Sequence, residues 1–277
     1  MTHKRITAIH DISCFGRCSL TVALPILSCA GIETTVIPTA VLSTHTGGFS
    51  GYTFRDLTED ILPVAKHWKN EGIGFDGIYT GYLGSFEQID IMVELFKTFK
   101  TADNVILVDP VMADNGKLYG GFPDDFPKEM LKLCKKADIL VPNITEACML
   151  LGKKYIQGPY TKEFIEELLF ELYNLTNAKI ILTGVWFDQK RIGAACYDKG
   201  CANYVFSERI DASYHGTGDV FASALVGGIM NGKSIEKSAQ IAADFTFNSI
   251  KTTQILQPDK NYGVCFEKEL PKLIKML

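Results

Sequence analysis

The amino-acid sequence predicts an α/β fold, a three-layer αβα sandwich whose central sheet is mainly parallel and carries an antiparallel hairpin at one edge. Short β-branched apolar runs recur along the chain, and amphipathic helical patterns separate most of the first six. The last two runs are separated by no more than a turn. Strand, helix, strand, repeated, gives a parallel sheet covered on both faces.

The strands are read, in order, at RITAIHDI (5–12), TTVIPTAVLS (34–43), DGIYTG (76–81), NVILVDP (104–110), DILVPN (138–143) and AKIILTG (178–184). Between them, 56–72, 85–100 and 161–175 return apolar residues every three or four positions, as helices with one buried face do. IGAACY (192–197) and ANYVFS (202–207), joined by the turn-like DKGC, form the edge hairpin. Two further helices are expected over 216–231 and 234–251. No internal repeat, low-complexity tract or linker divides the chain, so one domain over 1–277 is the simplest reading. Ligands of open α/β sheets sit outside the carboxyl ends of the strands, so chemistry is sought just after each run.

Composition narrows the function. The 277 residues are 47% hydrophobic and 22% charged, ample for a buried core. A net charge of -4, without any Lys/Arg cluster interleaved with aromatics, speaks against a nucleic-acid partner. The N-terminal MTHKRITAIHDIS turns polar after one short apolar run, and no run of about 18 apolar residues occurs, so neither a signal peptide nor a membrane span is expected. Eight cysteines are scattered without a C-x-x-C pair or histidines at zinc spacing. They read as reduced thiols of a cytoplasmic protein, mostly small core residues.

One stretch invites a nucleotide-binding reading. GGIMNGKS, 227–234, fits the phosphate-loop pattern G-x-x-x-x-G-K-[ST]. That loop needs a strand before it and several strands after it. Here VFASALV precedes it, rich in helix formers, and 43 residues follow Ser234. The expectation is a helix end at Asn231-Gly232, with Gly left-handed, and a Ser234 cap on the next helix.

HGTGDVFASAL, 215–225, is more informative. Gly216 and Gly218 let the backbone turn tightly and bare its N–H groups at the start of a small-residue helix, a positive end facing the strand ends. Asp219 there is either a first-turn helix acid or a catalytic group. Phe221 stands where a dinucleotide fingerprint needs its last glycine, so that fingerprint is incomplete. Asp109, before Pro110, is a structural turn or a ligand-edge carboxylate. Asn143 and Glu146 have the spacing of a capping box. THTGGFSGY (44–52, overlapping STHTG at 43–47) and TGYLGS (80–85) follow strands with hydroxyls and an aromatic suited to a small polar ring, and Thr183 ends another strand.

Taken together, STHTG, TGYLGS, VDPVM (108–112), PNITEA (142–147), ILTG (181–184) and GTGD (216–219) resemble, in order and across nearly the full chain, the ribokinase-like superfamily and its vitamin B6 kinase branch, the pyridoxal and pyridoxamine kinases. The resemblance implies a magnesium-dependent kinase that transfers the γ-phosphate of ATP to a small-molecule alcohol. It implies that Gly216, Thr217 and Gly218 form an anion hole and that Asp219 is the general base on the substrate hydroxymethyl group. It assigns Asp109 and Glu146 to the Mg²⁺ and phosphate region, Asn143 to the same neighbourhood, Thr183 to the ATP phosphates and Asp114 to a loop closing over ATP. Thr46 and Tyr82 fall on the ring-binding side. A homodimer is expected from the family, and a requirement for a monovalent cation such as K⁺ is left open.

The chain departs from the family at HDISCFGRCS, where B6 kinases usually carry a Ser against the pyridine. Asp11 aligns there, with Ser13 the alternative, and an acid at that place would favour a protonated ring. The sibling family, the hydroxymethylpyrimidine kinases of thiamin synthesis, shares much of the set, although many of its members end the anion hole in Cys. A binding protein that keeps the kinase fold is the reading of another class, and loss of the base would be its signature.

Overall fold

Residues 3–212, 214–257 and 262–277 are described by a computed structural model. In chain order its elements are β1 (Arg5–Ser13), α1 (Leu20–Cys29), β2 (Glu33–Leu42), β3 (Phe54–Asp56), α2 (Thr58–Asn70), β4 (Gly77–Thr80), α3 (Phe86–Phe99), β5 (Val105–Val108), β6 (Ala113–Asp114), β7 (Lys117–Leu118), α4 (Phe126–Cys134), β8 (Ile139–Leu140), α5 (Ile144–Leu150), α6 (Lys162–Thr176), β9 (Lys179–Asp188), β10 (Arg191–Asp198), β11 (Cys201–Glu208), α7 (Thr217–Met230), α8 (Ile235–Leu256) and α9 (Leu270–Met276). One sheet runs in the order β11-β10-β9-β8-β5-β4-β1-β2-β3, and β6 with β7 makes a separate small hairpin.

From β2 to β9 the neighbours in this sheet are parallel, and β10 and β11 continue it antiparallel. The expected sandwich and edge hairpin are both present. The first strands are wound outward from β1 in two directions, toward β2 and toward β4, which makes the β1/β4 boundary the topological switch point.

Consecutive strand residues serve opposite layers, as a two-sided sheet requires. Ile78 and Ile106 pack with Ile89, Met92 and Phe126 on one face, whereas Tyr79 and Leu107 pack with Leu225 and Phe245 on the other. Four helices, α3, α5, α6 and α8, begin on polar side-chain caps. The Ser85 and Thr161 hydroxyls accept N–H bonds from Gln88 and Phe164, and Asn143 with Glu146 closes a complete capping box.

Besides α1, α4 and α9, for which no helical pattern is read, sequence periodicity misses β3 and the β6–β7 hairpin. β3 has three exposed residues and no alternation, and exists because it pairs with Ala40, Val41 and Leu42. β6 and β7 are two residues each, too short for a period. GGIMNGKS is the helix junction expected of it. α7 ends at Met230, Gly232 has φ 76°, and the Ser234 hydroxyl accepts from the Lys237 N–H. All eight cysteines are free, four of them buried. Among the described residues no helix is long and apolar enough to cross a membrane.

Candidate active site

The carboxyl ends of the parallel strands and the N-terminus of α7 converge on a pocket of about 110 Å³. Asp109, Asn143, Glu146, Thr183, Gly216, Gly218 and Asp219 all line it. Residues read separately from four stretches of sequence thus share one wall. A larger cavity of about 550 Å³ opens at the opposite strand ends, beside Lys233 and Ser234. Its Asp138 and Asp198 are neutralised by Lys100 and Lys179, so the smaller pocket is the one with unspent charge.

Gly216 caps α7 in the left-handed conformation, φ 75°, and a Cβ on it would fall 2.0 Å from the Arg17 carbonyl oxygen. Only glycine fits that turn. The first-turn N–H groups at Thr217, Gly218 and Asp219 have no acceptor within the helix, and the helix dipole makes this end positive. The Thr217 hydroxyl is occupied by the Tyr214 carbonyl at 3.2 Å. Its contribution to an anion is therefore through the backbone.

Asp219 accepts an N–H bond from Ser19 at 3.0 Å. Burial holds its carboxyl up at about 7, against the lowering effect of that bond, and the charge of Asp11 acts in the same upward direction. A carboxylate so placed changes charge near neutrality, as a general base should.

Asp109 follows β5 and is anchored by its own N–H to the Thr80 carbonyl, 2.9 Å. Its carboxyl is pushed well above the usual range by burial and then by Glu146 and Asp219. Among the described residues no donor reaches that carboxylate. Glu146 is also buried and raised, chiefly by desolvation. Unlike Asp109 it is engaged, accepting from the Met112 N–H at 3.1 Å and the Asn143 N–H at 2.9 Å. Asn143 Nδ2 donates to the Ala113 carbonyl at 2.8 Å, tying the cap to the β6 hairpin. Capping and site-building are thus the same act.

Thr183 lies on β9 with its hydroxyl 3.3 Å from the Pro142 carbonyl. Asp114 stands apart, exposed in the β6–β7 hairpin, where its oxygens accept from the Asn115 backbone and side chain at 2.8 and 2.9 Å. Burial raises its carboxyl, while the charge of His215 lowers it, so the hairpin tip faces the loop before α7.

On the ring side, the β1–β2 pairing slips between His10 and Ile12, opposite Pro38, which has no N–H to give. Asp11 sits at that slip, buried, taking the Ser13 hydroxyl at 3.1 Å and the Ser19 hydroxyl at 2.5 Å. Asp11 and Ser13 are therefore one unit. Tyr82 is half-buried near Asp11, its hydroxyl pushed up to about 12 by burial first. Thr46 is exposed, and the buried neighbour His45 lies 5.3 Å from the His215 ring.

Sequence reasoning passed over Ser19, His45, His215, Tyr119 and the aromatic wall of Phe15, Phe49 and Tyr262. Phe49 and Tyr262 stack at 5.5 Å, and Phe15 meets Tyr262 edge-on at 5.1 Å. His45 and Phe49 lay inside a stretch already singled out. Nothing local marks Tyr119, which lines the pocket from just after β7.

Comparison with known proteins adds to this geometry. The family model of phosphomethylpyrimidine kinase matches residues 26–264. A protein of Schizosaccharomyces pombe provisionally named pyridoxal kinase is 26% identical over 261 residues, covering 90% of this chain and 82% of that one. A provisionally named phosphomethylpyrimidine kinase of Bacteroides thetaiotaomicron, in a crystal form with pyridoxal, is 38% identical with a TM-score of 0.91, covering 98% of this chain and 96% of that one. The crystal structure of pyridoxal kinase from Lactobacillus plantarum is 28% identical with a TM-score of 0.91, covering 99% and 98%.

Proposed function

The chain belongs to the phosphomethylpyrimidine kinase family, and on that premise we propose that it phosphorylates the 5′-hydroxymethyl group of a vitamin B6 compound at the expense of ATP. Transfer of a phosphoryl group to an alcohol is the chemistry of the family. The B6 substrate is supported by the similar Bacteroides protein crystallised with pyridoxal and by the pyridoxal kinases among its relatives.

The observation that carries the reading is Asp219, an aspartate held near neutrality at the positive end of α7. Phosphoryl transfer asks the protein for position and electrostatics more than for covalent chemistry. Asp219 takes the proton of the substrate hydroxyl as its oxygen attacks the γ-phosphorus, and the bond to the ADP oxygen breaks. The N–H groups at Gly216, Thr217 and Gly218 meet the charge on the transferred group. Thr183 and Asn143 border the phosphates, the β6–β7 hairpin with Asp114 covers ATP, and Asp11, Ser13, Thr46 and Tyr82 face the ring.

The residues present fit Mg²⁺. Among the described residues no three His, Cys, Asp or Glu form a ready cage, which suits an ion that takes most of its ligands from phosphates and water. Asp109, a buried carboxylate that no donor reaches among the described residues, would hold the ion. Glu146, its oxygens engaged by backbone N–H groups, contributes charge beside the ion. An ion held there would supply positive charge against the phosphates of ATP.

A coupled ADP-release assay with Mg²⁺ and ATP tests the proposal, offering pyridoxal, pyridoxamine, pyridoxine and hydroxymethylpyrimidine side by side. Turnover of a B6 compound well above the pyrimidine is expected. Preference for the pyrimidine would move the protein to thiamin synthesis, which the family name and Asn143-x-x-Glu146 equally suit, and no turnover of any would favour a binding protein. The reading carries with it a cytoplasmic homodimer, the dimer checked by light scattering on the purified protein and the compartment by cell fractionation.

A further inference from the structure

Ser19 holds a backbone conformation that its residue type resists. Its φ of 54° with ψ of −131° is open to glycine and costly for a residue with a Cβ. Among the described residues the other non-glycine positions with positive φ are Asn115, Asn177 and Lys199. Two of those are asparagines, which tolerate positive φ readily. A serine kept where glycine would be relaxed raises the question of what its side chain supplies.

Its hydroxyl donates to Asp11 Oδ1 at 2.5 Å, and its own N–H donates to Asp219 Oδ2 at 3.0 Å. One buried residue therefore grips both the ring-side carboxylate and the base. It is held from behind as well. The Ser19 carbonyl accepts from Val22 and Ala23 at the start of α1, at 3.0 and 2.9 Å. Two residues earlier, the Arg17 carbonyl is wedged where Gly216 and Gly263 lack side chains. Asp11 and Asp219 are thus tied to one residue whose backbone is held at both its N–H and its carbonyl.

We infer that Ser19 is a positioning residue, a rigid link through which the seating of the acceptor ring at Asp11 orients the Asp219 carboxylate toward the hydroxyl it deprotonates. The inference rests on the reading above of Asp219 as base and Asp11 as ring contact. Glycine at 19 would keep the N–H bond and relax the backbone but cut the tie to Asp11. Alanine would cut the same tie and keep the strain.

The pair Ser19→Gly and Ser19→Ala separates function from stability, read with the vitamer that the wild-type protein turns over best. Both variants are expected to lose about tenfold or more in kcat and to raise KM for the acceptor, with KM for ATP within about twofold. The Tm of Ser19→Gly should exceed that of Ser19→Ala by about 2–4 °C. Combined with Asp11→Asn, either variant should add little further loss, since all act on one link.

Wild-type kcat in Ser19→Gly would overturn the inference by showing that strain, not the hydroxyl, mattered. Losses that follow Tm, or that add to those of Asp11→Asn, would overturn it too. If the wild-type enzyme is active and Asp219→Asn is not, while Ser19 variants keep kcat, this inference alone fails. If wild type turns over no acceptor, the functional reading fails and takes the inference with it.

Discussion

Replacing Asp219 with Asn should inactivate the enzyme and stabilise it, and the second effect should depend on pH. The folded carboxyl is held up at about 7, mainly by burial, whereas an unfolded Asp titrates at about 3.9. Between those values the folded chain keeps a proton that the unfolded chain has released. The stabilising contribution is thus complete below about pH 3.9 and is lost as pH rises to about 7. Each tenfold in proton affinity is about 1.4 kcal/mol, so the whole loss is at most about 4 kcal/mol. Asp219 keeps part of its accessibility, so its desolvation is incomplete and the realised value is about 2 kcal/mol. Asn keeps an oxygen for the Ser19 N–H and carries no charge to bury. Urea unfolding of both proteins should therefore show the variant gaining on wild type by about 1–2 kcal/mol between about pH 5 and about pH 8. Over the same preparations kcat should fall by about 10²–10⁴-fold, with ATP binding nearly unchanged. Wild-type turnover in the variant would refute the base. A stability gap that does not change with pH would refute burial as the source of the raised carboxyl.

Three further outcomes follow from the packing. His10 is fully buried with neither ring nitrogen bonded, and burial lowers its pKa to about 3. Its stabilisation is complete above about pH 6.5 and is lost as pH falls toward about 3, so His10→Phe should remove up to about 4 kcal/mol of acid sensitivity, and an unaltered acid limb in urea titrations would refute this. Gly216→Ala forces a Cβ toward the Arg17 carbonyl at positive φ, and should cost about 1–3 kcal/mol of stability and about 10²-fold in kcat, while normal turnover would dismiss the backbone anion hole. Lys233→Ala, at a helix junction on the far side of the sheet, should leave KM for ATP within about twofold, and a rise of tenfold or more would restore the phosphate-loop reading of GGIMNGKS.

Much of this molecule was legible because its signals are local. A β-branched run between two helical patterns specifies a buried parallel strand wherever it lands, and the residue after it must lie at the ligand edge. Asp109, Asn143 and Thr183 were found that way. Gly216 and Asp219 were legible because a glycine turn into a small-residue helix exposes N–H groups in any context. What these residues would bind came from resemblance, since a capping box at Asn143 and Glu146 looks the same with or without chemistry.

Other features only the tertiary structure decided. β3 is a strand only because β2 offers it an edge. Ser19 reaches Asp219 across 200 residues of chain, and two glycines of distant segments, Gly216 and Gly263, pack against Arg17 two residues before it. The high proton affinity of Asp219 comes from the atoms that exclude water around it, drawn from distant parts of the chain. Sequence alone determines which groups are present and which strand end carries them. Their distances, strain and solvation are properties of the packed whole, because they depend on neighbours that are not neighbours in the chain.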